Sequence, residues 1–194
     1  MPQISAQEFD QVPLRVHTFL AGVPLHDVWA VDLPRVRPGI TLDEFLRATG
    51  ARLYRLSLAA RMLLSIRFSI GRLLCWDREP KPGAWESFAT RLTAADRPRS
   101  LVAAGTREGP FRVIYHFENE QLLELINRTA HAAALSALVE TANKYRFYFA
   151  VYVRNVGPFT PVYMALIHPF RKLIVYPSLL RSVRASWNEA FGTG

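Results

Sequence analysis

The stretch Tyr145-Arg146-Phe147-Tyr148-Phe149-Ala150-Val151-Tyr152-Val153 constrains the architecture more than any other part of the chain. Aromatic and β-branched side chains fit a pleated, half-buried surface and crowd the turns of a helix, so this run is a strand. The polar residues Thr141-Ala142-Asn143-Lys144 before it suit a four-residue hairpin loop, which puts an antiparallel partner directly upstream. With that loop, Glu140 opposes Tyr145, Ser136 opposes Phe149 and Ala134 opposes Val151. Ala130, Ala132, Ala134 and Ser136 then share a face with Phe147, Phe149, Val151 and Val153. Small residues beside large ones leave room on that face, as a cavity wall would. His131, Ala133, Leu135, Arg146, Tyr148, Tyr152 and Arg154 take the other face, and a slip of one residue would exchange the two.

Further elements follow from local pattern. Phe111 to Glu118 alternates and places Phe111, Val113, Tyr115 and Phe117 on one face of a strand. Ser100 to Thr106 reads as the strand before it, with a turn at Arg107-Glu108-Gly109-Pro110. Beyond the polar turn Glu118-Asn119-Glu120, the residues from Leu122 to Leu138 satisfy a helix and a strand equally, and periodicity leaves both open. Nearer the N-terminus, Asp27 to Leu33 suits a short strand, followed by a turn over Arg35 to Gly39. Thr41 is an N-cap with Glu44 completing a capping box, opening a helix from Leu42 to Thr49 that stops at Gly50. Ala51 to Trp76 has helical spacing, with Arg52, Arg55, Arg61, Arg67 and Arg72 on the wet positions, and a short helix follows around Trp85 to Leu92. After Gly157 the period changes again. Thr160-Pro161 offers a cap and a first-turn proline, and Tyr163, Leu166, Ile167, Phe170, Leu173, Ile174, Leu180 and Trp187 form the stripe of a long helix. Pro169 and Pro177 are expected to bend or break it.

Size and composition bound what this chain does. Its 194 residues, half of them apolar, suffice for one well-packed domain, expected over residues 12–191. The N-terminus has no basic start and apolar run of a secretory signal, and Arg or Lys interrupts every candidate for a membrane span. A lone cysteine, Cys75, forms no internal disulfide and fits packing better than nucleophilic chemistry, so a cytoplasmic location is expected. The net charge of +8 invites a nucleic-acid or membrane partner, but the arginines are scattered rather than clustered. No specific nucleic-acid site is expected, and no more than weak peripheral contact with a membrane.

Candidate chemistry is sparse. There is no Gly-rich phosphate loop with a following lysine, no Gly-x-Ser-x-Gly elbow and no His-Glu-x-x-His helix. One cysteine rules out a cysteine-built zinc site, and neither a metal nor a cofactor is expected. His116 and His131 fall on sheet strands, where a cavity would be lined, and imidazole can act as acid or base near neutral pH. His26-Asp27 reads as an orienting pair or, more often, a turn; His168 before Pro169 fits a helix break better than catalysis. Glu118, Glu120 and Glu124 cluster at the expected turn, where solvation explains them.

The motifs Asn127-Arg128-Thr129-Ala130-His131, Tyr148 to Val153 and Tyr163-Met164-Ala165-Leu166-Ile167-His168-Pro169-Phe170-Arg171 resemble a bacterial family of domains of unknown function related to the helix-grip superfamily (START-like, SRPBCC). The resemblance spans roughly Val16 to Phe191. It implies that Thr129 to Val139 is a strand, and that the fold is α+β: a curved antiparallel sheet wrapped around the long C-terminal helix. It further implies an internal cavity for a small hydrophobic molecule, a lipid or a polyketide-like compound. The alternative it implies is an enzyme of the same fold, a cyclase, dehydratase or isomerase. Expected ligand-binding residues are Tyr115, His116, His131, Ala134, Tyr148, Tyr152 and Phe170. The resemblance carries no catalytic motif.

Overall fold

A computed structural model describes residues 3–50, 85–127 and 129–192, and between the first two ranges residues 57, 62, 65, 69 and 71 singly. Apart from those single positions, the expected helix from Ala51 to Trp76, with Cys75, lies outside the described residues. Strands β1 (Leu25–Pro34), β2 (Arg107–Glu108), β3 (Phe111–His116), β4 (Glu120–Ile126), β5 (His131–Glu140) and β6 (Lys144–Arg154) form one antiparallel sheet in the order β1-β6-β5-β4-β3-β2. The last five strands are a meander. The first crosses over to pair with the last, so the chain's ends meet at one edge of the sheet. The β5–β6 hairpin has Glu140 opposite Tyr145, Ser136 opposite Phe149 and Ala134 opposite Val151, the register that the loop composition implies.

Each sheet face buries a different set of elements. One face carries Val28 and Ala30 of β1, Ala133, Leu135 and Ala137 of β5, and Tyr148, Ala150 and Tyr152 of β6. It packs on α1 (Ala6–Asp10), α2 (Arg15–Phe19) and the 3-10 turn Phe88–Arg91, through Phe9, Val16, Phe19 and Phe88. The short helix α4 (Asp96–Arg99) joins this side through Arg15, whose guanidinium meets Asp96 at 2.9 Å. The opposite face carries Trp29, Val31, Leu33, Leu138, Phe147 and Phe149, covered by α3 (Leu42–Thr49) and the C-terminal helix. That helix runs as α5 (Phe159–Phe170), a π-helical stretch (Arg171–Val175) and α6 (Tyr176–Phe191). The architecture is therefore α+β of the helix-grip kind, a curved sheet closing on a long C-terminal helix. No helix among the described residues is long and apolar enough to cross a membrane.

Several local expectations give way to longer-range contacts. Ser100 to Thr106 is not a strand: Ser100 Oγ donates to Val102 O and accepts from His116 N, and Gly105 takes a φ of +89°. The supposed turn residues Arg107 and Glu108 pair instead with Arg112 and Phe111. Within β3 a bulge between Val113 and Tyr115 interrupts alternation, so these two residues face opposite sides of the sheet rather than one. Thr41 does cap α3, accepting from Glu44 N at 3.1 Å, but the Glu44 carboxylate pairs with Arg37 and leaves the capping box half made. Thr160 lies inside α5 and accepts from Val156 N, tethering the preceding loop instead of capping the helix. Neither Pro169 nor Pro177 breaks the C-terminal helix. The ladder widens to π between them, which absorbs the hydrogen bond each proline removes.

Candidate functional site

The face under the C-terminal helix is built of transverse rows. In one, Cα pairing runs from His116 to Gln121, Ser136, Phe149 and Trp29, across β3, β4, β5, β6 and β1. Directly opposed residues share a face, so these side chains all point toward the helix side. The next row runs Val113, Leu123, Ala134, Val151 and Asp27. Tyr176 of α6 roofs Trp29 and Phe149 at ring distances of 5.4 and 5.9 Å, while Tyr163 and Met164 of α5 cover Ala130 and Val153. Between these covers the β5 side chains are small. Ala132, Ala134 and Ser136 end at or just beyond Cβ, and Leu123, Leu125 and Ala134 are half-buried, joining no apolar cluster among the described residues.

The first of these rows carries buried polar atoms without partners. Trp29 Nε1, Gln121 Oε1 and both ring nitrogens of His116 are buried and make no hydrogen bond. Gln121 spends its amide nitrogen on Glu108 at 3.1 Å. His116 approaches Asp43 at 3.5 Å, outside hydrogen-bonding geometry. Burial pushes the His116 imidazole below its ordinary range, only partly opposed by Asp43 and Glu108, so the ring is neutral in the fold.

A second polar cluster closes the end of the neighbouring row. A bulge between Leu25 and Asp27 leaves His26 unpaired in β1 and lets two consecutive side chains converge, which a regular strand forbids. His26 Nδ1 lies 2.9 Å from Asp27 Oδ2. The same carboxylate oxygen accepts from Arg171 Nη2 at 2.8 Å and from Tyr176 Oη at 3.1 Å, and Arg171 also meets the Tyr176 hydroxyl. His168 Nδ1 stands 4.0 Å from the other oxygen, Oδ1. Burial pushes the Asp27 carboxyl up, but the hydrogen bond to His26 and the Arg171 charge outweigh it, so the group titrates below the usual range and is ionised. The π-helical stretch is what brings Arg171 and Tyr176 to one carboxylate. His26, Asp27 and His168 are the described residues whose spacing could hold a metal ion.

The expected ligand residues do not line one chamber. Ala134 and His116 are on the face toward the C-terminal helix. Tyr115, His131, Tyr148 and Tyr152 lie on the opposite face, all buried, where Tyr115 donates to Glu120 and His131 stacks on Phe88 at 4.0 Å. Phe170 is 47% exposed on the outer side of α5, in line with Val162 and Leu166. Glu124 is not a turn carboxylate. It is buried in β4, accepts from His131 Nε2 at 2.7 Å and Phe88 N at 2.6 Å, and caps the 3-10 turn. A separate cleft of about 320 Å³ beside α6 is lined by Ser178, Ser182, Ser186 and Arg181, and contains none of the expected residues. Sequence reasoning singled out His26-Asp27 and His168 separately but did not bring them together, because Asp27 and Arg171 are 144 residues apart. The signal available was His168 and Arg171 at i, i+3 in an otherwise apolar helix.

A family model described as a protein of unknown function (DUF2867) matches residues 19–178. No curated protein and no solved structure matches the chain.

Proposed function

The chain therefore belongs to the DUF2867 family, and from that premise we propose that it binds a small hydrophobic molecule in the trough between the sheet and the C-terminal helix. The observation that carries this is the row from His116 to Trp29, whose buried polar atoms lack partners. Each such atom costs about 1–3 kcal/mol, and folded proteins rarely leave several on one row. A ligand with an apolar body over Ala132, Ala134 and Leu123 and one polar end at Trp29, Gln121 or His116 offsets that cost. The strand order, with β1 closing on the last strand beneath a C-terminal helix, resembles the START-like, SRPBCC superfamily. Its members include lipid carriers, hormone receptors and aromatase or cyclase enzymes, which supports a lipid or polyketide-like ligand. The binding unit is one cytoplasmic domain over residues 12–191.

The test is native mass spectrometry of freshly purified protein together with melting in the presence of a long-chain fatty acid. A retained small molecule is expected, as is a rise in melting temperature, since a ligand that binds only the folded state stabilises it. Ala134→Trp should fill the trough and remove that rise while leaving the fold intact. No shift in the wild-type protein, or an equal shift in Ala134→Trp, overturns the proposal. One observation favours a second reading, an enzyme of the same fold acting as cyclase, dehydratase or isomerase. Asp27 ends the row that contains Ala134, two strands or about 10 Å away. On that reading His26→Ala abolishes turnover of a bound ligand without changing its affinity.

A further inference from the structure

We propose that His26, Asp27 and His168 form a binding site for one divalent transition-metal ion of the zinc class. One ligand atom from each residue lies within 4.8 Å of the others. Tetrahedral zinc with bonds of about 2.0–2.1 Å needs its ligand atoms about 3.3 Å apart, so a modest inward rotation closes the site. His168 can supply it: its side chain is 40% exposed on the surface of α5, and its ring centroid is 5.9 Å from that of His26.

The donor set suits the ion. Two imidazoles and one carboxylate match borderline metals such as zinc or iron(II), and three protein ligands leave positions open for water or a substrate oxygen. The carboxylate is also prepared for the role. Its Oδ2 is held by Arg171 and Tyr176, which fixes the orientation of the group as outer partners do around metal ligands, and Oδ1 faces His168; His26 Nδ1, 2.9 Å from Oδ2, would exchange that contact for the ion. Asp27 is buried while both histidines are partly exposed, so an ion reaches the site from solvent without unfolding it. Arg171 opposes the ion's charge from the far oxygen and tempers the affinity without blocking Oδ1.

Two departures from regular backbone build this arrangement. The bulge at His26 turns neighbouring β1 side chains toward each other, and the π-helical stretch that follows His168 brings Arg171 and Tyr176 to the Asp27 carboxylate. Bulges and π-bulges are over-represented at functional sites. The inference stands apart from the trough ligand: metal binding without lipid binding sustains it and overturns the other proposal.

The experiment titrates the chelator-treated 194-residue chain with Co²⁺, followed by visible absorption, and with Zn²⁺, followed by calorimetry, in a non-coordinating buffer at neutral pH. The wild-type chain should take up about one equivalent of each ion, with affinity falling on acidification as imidazole protonates. His26→Gln and His168→Ala, both at partly exposed positions that the fold tolerates, should each weaken binding at least tenfold. His17→Ala, on the opposite face, should not. Absence of saturable binding in the wild-type chain overturns the proposal. So does wild-type affinity in either His26→Gln or His168→Ala, or an equal loss in His17→Ala.

Discussion

Glu124 accepts hydrogen bonds at both carboxylate oxygens while only 2% exposed. Oε1 receives His131 Nε2 and Phe88 N, and Oε2 receives Ser87 Oγ at 2.5 Å. Burial alone would push this carboxyl up, but the bonds from His131, Ser87 and Phe88 outweigh it and hold it below the usual range. A carboxyl depressed in the folded state contributes stability above its unfolded value, about 4.3, and that contribution is lost as pH falls through the folded value. Urea unfolding of the wild-type protein should therefore weaken steadily below about pH 4.3, and Glu124→Gln should flatten that acid slope. Equal slopes would show that Glu124 is not ionised in the fold. His131→Ala leaves the buried carboxylate short of its partner and should cost about 3 kcal/mol, a large part of the roughly 5–15 kcal/mol typical of a domain. These two positions also show what residue-level reading can and cannot see. His131 stood out as an imidazole on a strand, whereas Glu124 looked like one of three solvated turn carboxylates. Its role depends on a 3-10 turn that begins 36 positions away.

At the scale of elements, grip depends on one side of the C-terminal helix. Trp187 is fully buried, donates from Nε1 to Pro34 O at 3.1 Å, and packs its ring on Phe45, Tyr145 and Phe191. Trp187→Ala should cost about 3–5 kcal/mol in chemical denaturation, because it leaves a large cavity between helix and sheet. Leu166→Ala on the outer side of the same helix, at a residue 61% exposed, should stay within about 0.5 kcal/mol. Comparable losses at both positions would mean that the helix is held on two sides. The helix itself was legible in the sequence but not its buried side: the stripe read there joins Leu166, Phe170 and Leu173, which are exposed, to Leu180 and Trp187, which are buried. The β5–β6 register was legible because a polar loop beside an aromatic run admits few pairings. Departures from regular geometry were not legible. The bulges in β1 and β3 and the π-helical stretch are set by what each element packs against, and alternation counted along the chain passes over them. The Ser100 region failed for a related reason: side-chain bonds from Ser100 replace the ladder that its composition seemed to promise.

For the molecule as a whole, the fold was readable from alternation and resemblance, whereas the candidate site was only half readable. The face carrying Ala134 followed from pairing. The cluster around Asp27 needed the first strand to meet the last helix, which no local pattern encodes. Charge is the remaining whole-molecule property, and the same geometry decides what the excess of +8 does. Arg15 is bound to Asp96, Arg35 to Glu140, Arg47 to Asp43, Arg146 to Glu8 and Arg171 to Asp27, at distances of 2.7 to 2.9 Å. These pairs lie on both sheet faces and at both ends of the chain, so part of the positive charge is already matched and the rest is dispersed. Nucleic-acid binding needs the opposite arrangement, with unmatched cations gathered along one surface. Fluorescence anisotropy with a labelled duplex should therefore show weak binding at low salt that depends little on sequence. It should vanish by about 200 mM salt, because binding that rests on phosphate contacts alone starts weak and loses its counterion-release gain as salt is added. If binding persisted at physiological salt and discriminated between duplexes, the cations would have to be gathered by segments beyond the described residues. The proposed ligand site would then share the molecule with a nucleic-acid surface, and the arginines from Arg52 to Arg72 would be the place to substitute first.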